Sequence, residues 1–349
     1  MIKYIYSRKK VTSMTQAHHH LNWLPYILIV IFLHILGFSF LWLANSNHLL
    51  LGMGILAYTL GLRHAFDADH IAAIDNTVRK LLQQQRSPVG VGFYFSIGHS
   101  TVVFLMSVFL GISVKWAKDV LPHFQEIGGM IGTIVSGSFL ILIGILNLII
   151  LVSLITLFLK LRNELINDNK LNDLLEARGL ISRLVGPYFK LINRSWHVLP
   201  LGFLFGLGFD TASEISLLAL SSGASQQAIS FIGILSLPIL FAAGMSLLDT
   251  LDGILMTSAY NWAFFNPIRK IYYNITITAI SVIAALLIGT TELLQIIAEK
   301  YQLSGAFWTF IANIQFDYFG YIMVILFLTS WLISYLIWKF GKVEQQWTK

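Results

Sequence analysis

Gly61-Leu62-Arg63-His64-Ala65-Phe66-Asp67-Ala68-Asp69-His70-Ile71 places five side chains that carry or can acquire charge inside an otherwise apolar run. Such groups are expensive in hydrocarbon. They occur there when they pair, face a wet cavity or bind something, so the stretch marks a functional site. Two imidazoles and two carboxylates are also donors that suit a first-row divalent metal.

The residues around this island decide the fold. The chain has 349 residues, 56% of them hydrophobic and only 11% charged, and a mean hydropathy of +0.73. Several separate apolar runs reach the roughly 20 residues that a helix needs to cross a ~30 Å hydrocarbon core, which predicts an all-α polytopic membrane protein. There is no cysteine, so any metal site must be built from nitrogen and oxygen donors. The first apolar run begins at about Leu24 and is followed by no small-residue cleavage site, so it reads as a retained helix.

Hydropathy predicts eight spans, at about 24–43, 49–78, 90–113, 130–159, 198–221, 229–259, 271–290 and 317–340. The second and sixth are too long for one straight crossing and carry polar clusters, so helices interrupted at a binding site are expected, above all in the second. With the N-terminus inside, the inner segments hold 19 of the 23 Lys and Arg residues; the outer segments hold Lys115, Lys118 and Lys300, and Arg63 alone lies within a span. The net charge of +6 is therefore a topology signal. It predicts a multi-pass protein of the cytoplasmic membrane with both termini cytoplasmic, and gives no reason to expect a nucleic-acid partner. The expected organisation is a tail over 1–23, a single transmembrane domain over 24–341 with a cytoplasmic loop at about 160–197, and a tail over 342–349. The loop alternates Leu, Ile and charged residues at helical spacing and suits one amphipathic helix lying on the membrane or capping the bundle. His18, His19 and His20 read either as metal capture or as chance residues of a tail, and stay outside the expected site.

An internal repeat can be drawn. Phe66-Asp67-Ala68-Asp69-His70-Ile71 resembles Phe209-Asp210-Thr211-Ala212-Ser213-Glu214-Ile215 with one insertion, and Phe95-Ser96-Ile97-Gly98-His99-Ser100 resembles Phe241-Ala242-Ala243-Gly244-Met245-Ser246. Three-helix units at spans 1–3 and 4–6 would then have opposite orientations, the inverted repeat of many secondary transporters. Chance likeness between small-residue helix seams is the alternative.

At about 100° per residue, His64, Asp67 and His70 share one face of an ideal helix, with Arg63 beside them and Asp69 pointing away. Asp69 becomes a ligand only if the backbone unwinds near 67–69; on a regular helix it would orient a histidine or pair with Arg63. His99, beside Ser96, Gly98, Ser100 and Thr101 in the third span, is the natural third imidazole. Asp210 and Glu214 stand at i and i+4 in the fifth span. Met245, Ser246, Asp249 and Asp252 share a face of the sixth. With no basic residue in either span, these carboxylates must be protonated, face a cation or meet Arg63. Asp75 and Asn76 approach the inner edge ahead of Arg79 and Lys80. His34, in the first span, is a further candidate for the path, with hydrogen bonding between helices as its plainer role.

Four motifs now stand in order on spans 2, 3, 5 and 6: Arg63-His64-Ala65-Phe66-Asp67-Ala68-Asp69-His70 with its His-x4-Asp-His pattern, Phe95-Ser96-Ile97-Gly98-His99-Ser100-Thr101-Val102-Val103, Leu207-Gly208-Phe209-Asp210-Thr211-Ala212-Ser213-Glu214, and Gly244-Met245-Ser246-Leu247-Leu248-Asp249-Thr250-Leu251-Asp252. Together they resemble the nickel/cobalt transporter (NiCoT) family of secondary permeases. The resemblance covers the whole transmembrane core, and Ser213 stands where Thr is common. It implies an eight-helix permease that imports Ni²⁺ or Co²⁺ at trace concentration, with His64, Asp69 and His70 essential.

The expected function is high-affinity secondary uptake, the metal held near mid-membrane by His64, His70 and His99 with carboxylate help from Asp67 or Asp69. Asp210, Glu214, Asp249 and Asp252 would balance charge, shape the path or carry protons, and Arg63 and His34 would border it. The transported ion is substrate and no cofactor is expected; no Gly-x4-Gly-Lys-Ser/Thr motif is present, so no ATPase unit is implied. Two rivals share these residues: export of the same metals, and a membrane-embedded enzyme in which His64-x4-Asp69 serves acyl transfer, although the chain lacks the soluble lobe that chemistry needs.

Overall fold

Twenty apolar residues opened by Pro25 in the first turn make α1 (Leu24–Leu43); it shows Leu28, Phe32 and Ile35 to the outside, as a lipid-facing helix does. The chain is described by a computed structural model that covers residues 23–44, 48–84, 86–112, 114–163, 192–208, 217–218, 220–221, 223–224, 229–264, 267–314 and 319–340. After α1 come α2 (His48–His64), α3 (Ala68–Gln83), α4 (Val91–Ile112) and α5 (Val114–Asn163). A 3₁₀ turn at Ser195–His197 leads into α6 (Val198–Gly206), followed by α7 (Phe231–Phe264), α8 (Pro267–Lys300), α9 (Ala306–Ala312) and α10 (Phe319–Phe340). Among the described residues every regular element is helical.

Five helices are long and apolar enough to cross a membrane, and α2 with α3 makes a sixth span, bent by 52° at its break. These six coincide with expected spans 1, 2, 3, 4, 6 and 7. In α10 the apolar stretch Phe319–Ile333 lies where the eighth was expected. The fifth is described only as α6 and the few residues at 217–224, and the 1–22 tail, the 164–191 part of the inner loop and residues 341–349 lie outside the described residues. The protein is a multi-pass membrane protein, and its helices are consistent with an eight-span plan.

Two details depart from expectation. The sixth span is not interrupted: α7 runs 34 residues without a break and absorbs Pro238. Its polar residues Ser236, Ser246 and Asp249 are fully buried against other helices, so the backbone need not open to give them an environment. The segment expected as an outer loop between spans 3 and 4 is instead largely helix, because α5 continues for 50 residues, of which Ile127–Ser153 forms the apolar crossing.

The centre of the bundle is α3, although it is the most polar of the spanning pieces. From His70 to Leu81 no side chain is more than 4% exposed. Its polar groups are met from several sides; Asn147 of α5 donates to Asn76 Oδ1, for example. Glycines set the seams around it. A Cβ at Gly61 would overlap the Phe241 carbonyl and one at Gly244 would press on the Tyr58 carbonyl, joining α2 to α7. A Cβ at Gly98 would overlap the Leu199 carbonyl and one at Gly202 that of Phe95, joining α4 to α6. Phe95 with Phe241, and Gly98 with Gly244, are positions paired in the internal repeat. The same reciprocal seam therefore occurs at both pairs of helices, which is consistent with an inverted repeat.

Candidate metal centre

The break in the second span shapes the site. At the end of α2 the backbone tightens, Phe66 N–H donating to Arg63 O and Asp67 N–H to His64 O, and Asp67 then adopts an extended conformation (φ −65°, ψ 141°) from which α3 starts. A residue in that place usually caps the new helix with its side chain. Asp67 does not. Its carboxylate turns back, and Oδ2 lies 2.6 Å from His64 Nδ1.

That contact orients the imidazole. The contact is one of charge and distance, without hydrogen-bond geometry, and sets an acidic group behind the ring on the side away from His99. His64 Nε2 lies 2.8 Å from His99 Nε2 of α4, so one ring shares a proton with the other across the gap. His70, in the first turn of α3, completes a triangle with ring centroids 4.6 Å from His64 and 4.7 Å from His99; the His64 and His99 centroids are 4.7 Å apart. One nitrogen from each ring falls within 4.8 Å of the others. Two nitrogens bound side by side to one ion at roughly 2.1 Å would stand about 3 Å apart, so the His64–His99 pair already has the spacing of a chelate once the shared proton leaves.

The cluster is closed. His64, His70 and His99 are 1%, 0% and 3% exposed, with Phe95 edge-on to His70 at 4.8 Å and Phe241 against His64 at 5.6 Å. Neither ring nitrogen of His70 has a hydrogen bond, and its nearest acidic atom is Asp249 Oδ2 of α7 at 3.5 Å. Both oxygens of Asp249 are buried with no donor in bonding geometry. Leaving such a group unmet costs about 1–3 kcal/mol or more, and a cation between the imidazoles and this carboxylate would remove that cost.

The other expected residues are placed as follows. Asp69, despite the unwound backbone, stays at the start of α3, where Oδ1 accepts the His70 backbone N–H at 2.9 Å and its charge faces the positive end of the helix. Arg63 ends α2, half-buried beside the cluster. His34 holds α1 to α2: one nitrogen contacts Val30 O at 2.8 Å and the other Tyr58 Oη at 3.2 Å. Asp252 lies one turn beyond Asp249 on α7, with Oδ2 buried and without a hydrogen bond. Asp210 and Glu214 lie outside the described residues. Packed next to the cluster, Ser96 Oγ donates to Ser246 Oγ at 3.0 Å, tying α4 to α7.

One group of buried polar residues was not joined in the sequence reading. Arg79 and Asp75 of α3 meet Tyr260 of α7 and Ser281 of α8. Asp75 and Arg79 carried a visible polar signal, whereas Tyr260 and Ser281 are single polar residues in apolar helices, and no spacing rule connects them to α3.

Comparison with known proteins bears on this geometry. A family model described as high-affinity nickel-transport protein (NicO) matches residues 50–337. The nickel transporter NixA of Staphylococcus aureus is 77% identical over 333 residues, covering 95% of this chain and 98% of the relative. The high-affinity nickel-transport protein NixA of Helicobacter pylori is 52% identical, covering 92% and 99%. The cobalt transport protein NhlF of Rhodococcus rhodochrous is 40% identical, covering 86% and 88%. No solved structure matches the chain.

Proposed function

Because the chain belongs to the NicO family of high-affinity nickel-transport proteins, we propose that it carries Ni²⁺, and Co²⁺ by the same chemistry, inward across the cytoplasmic membrane. The observation that carries this reading is the buried triangle of His64, His70 and His99 facing the unmet carboxylate of Asp249. Imidazole with carboxylate suits both ions, and the fixed spacing of the rings must do the selecting, since raw affinity would favour Cu²⁺.

The ion sheds water and binds the two facing Nε2 atoms and His70. Asp67 acts through His64, setting a carboxylate beside Nδ1, and Asp249 supplies negative charge. Asp252, with Asp210 and Glu214 of the fifth span, would take part further along the path. Movement of one three-helix unit against the other would expose the site to each side in turn. An inside-negative potential drives a divalent ion inward by about 4.6 kcal/mol per 100 mV, at ~2.3 per charge. The bias of Lys and Arg to the inner segments supports two cytoplasmic termini. The family and the named relatives are transport proteins, not enzymes, so the acyl-transfer reading of His64-x4-Asp69 has no support.

The test is ⁶³Ni²⁺ and ⁵⁷Co²⁺ uptake into proteoliposomes with wild type, His64→Ala and His99→Ala. Wild type should accumulate both ions down an imposed inside-negative potential, and each variant should lose most of the uptake. Full transport by His64→Ala would sink the proposal, and transport only in the outward sense would favour export.

A further inference from the structure

Arg79 is fully buried, away from the histidine cluster, and bonded from several sides. Its Nη2 donates to Asp75 Oδ2 at 3.0 Å, to Tyr260 Oη at 2.6 Å and to Ser281 Oγ, and it also reaches the Ile277 carbonyl at 3.3 Å. Tyr260 Oη in turn donates to Asp75 Oδ1, and Ser281 Oγ to Asp75 Oδ2, both at 2.5 Å. The guanidinium also lies over the Tyr260 ring, 5.2 Å from its centroid. One ion pair thus fastens the far end of α3 to both α7 and α8.

Its position gives the fastening a consequence. His70 and Arg79 ride on the same short helix, nine residues or about 14 Å apart. At its other end α3 is joined to α2 only through the non-helical residues at 65–67, a ready hinge. On α7, Asp249, Met256 and Tyr260 share the face turned to α3, so the seam from the histidine cluster inward passes between α3 and α7 and is shut by Arg79. Beside Tyr260 lies an apolar cavity of about 80 Å³, walled by Met256, Ile277, Phe327 and Trp331. The Tyr260 ring borders this space, so the packing around it is incomplete.

We propose that the Asp75–Arg79–Tyr260–Ser281 cluster is the inner gate of the transporter. While it is made, α3 is held against α7 and α8, His70 stays in the cluster and the metal is closed off. When Tyr260 turns into the cavity and the bonds open, α3 swings on the 65–67 break, withdraws His70 and frees the ion toward the cytoplasmic side. Arg79 acts here as a positioning residue: it touches no metal, and its effect runs through the placement of α3. The inference rests on the transport reading above, and its test separates the two.

The chain has no cysteine, so Met256→Cys supplies a single thiol on the seam between the metal site and the gate. In inverted membrane vesicles, a membrane-impermeant maleimide should label it slowly. Labelling should accelerate at least about tenfold when Arg79→Gln or Tyr260→Phe is added, a shift of ~1.4 kcal/mol in the closed-to-open balance. Equilibrium ⁶³Ni²⁺ binding by detergent-solubilised protein should survive both variants, while uptake falls. Arg79→Lys should restore part of the slow labelling. If Arg79→Gln does not fold, Tyr260→Phe and Ser281→Ala each remove one bond and give the same readout. Unchanged labelling in every background would overturn the gate, as would loss of Ni²⁺ binding in step with uptake. Absence of Ni²⁺ uptake by the wild type would instead overturn the transport reading and leave the labelling result to stand by itself.

Discussion

His64 Nδ1 lies 2.6 Å from Asp67 Oδ2, so a carboxylate stands behind a ring whose other nitrogen faces His99. Replacing Asp67 by Asn keeps the size of the side chain and removes the charge. Ni²⁺ binding, measured by titration calorimetry on purified protein, should weaken about 10- to 100-fold, the usual effect of losing a carboxylate behind a ligating imidazole. Asp69 offers a contrast two residues later. Its Oδ1 accepts the His70 N–H, a bond that the amide oxygen of Asn can still accept. Asp69→Asn should therefore weaken binding less than Asp67→Asn in the same titration, any loss being concentrated in transport. A larger binding loss for Asp69→Asn would make Asp69 a direct ligand.

Between elements, the seams are made by glycines against carbonyls. Gly61 presses on the backbone of Phe241, which has no flexible end to move aside, so Gly61→Ala should cost at least the ~1–3 kcal/mol of an overpacked core. Gly52, on the same helix, has nothing within 4 Å, and Gly52→Ala should be neutral or stabilising by up to about 1 kcal/mol through helix propensity alone. Melting of the two variants in detergent compares the effects directly. The break between α2 and α3 is covered in the same way: Gly320 of α10 sits against the Phe66 carbonyl, and Tyr321 stacks on Phe66 at 4.6 Å. A side chain at 320 would push on the hinge itself. Gly320→Val should reduce uptake more than it lowers the melting temperature.

Taken as a whole, the molecule is a bundle whose most polar helix is its most buried one. In water that would be a poor trade, because buried polar groups cost free energy unless all are met. In a membrane the outer helices already face hydrocarbon, so the polar helix can only be central. Topology carries a prediction at this scale. The inner bias of Lys and Arg, which supports two cytoplasmic termini, places the exposed Gln302 between α8 and α9 on the outer side as an expectation. A lone cysteine at 302 should react with an impermeant maleimide on intact cells, and one at Ser7 should react only after permeabilisation; the reverse pattern would invert the orientation.

Composition and order by themselves determined that the chain is a polytopic helical membrane protein with polar islands on spans 2, 3, 5 and 6. Burying charge in hydrocarbon is so costly that each island announces itself in one dimension. They also pointed to a second span too long and too polar to run straight, and His64, His70 and His99 stood out because three imidazoles fall beside carboxylates and small polar residues in consecutive apolar spans. Partnership was decided only by the tertiary structure. An ideal-helix projection puts Asp67 with the histidines, but the break at 65–67 rotates everything after it, so Asp67 reaches His64 from an extended residue and Asp69 stays on the new helix end despite the unwinding. The sixth span, equally long, stays continuous: Ser246 is tied to Ser96 of α4, while the Asp249 carboxylate is buried unmet beside His70 without any opening of the backbone. Tyr260 and Ser281, nearly two hundred residues beyond Arg79, close around it because three helices converge there. Helical periodicity says which way a side chain points along its own axis, and only packing says what waits on the other side.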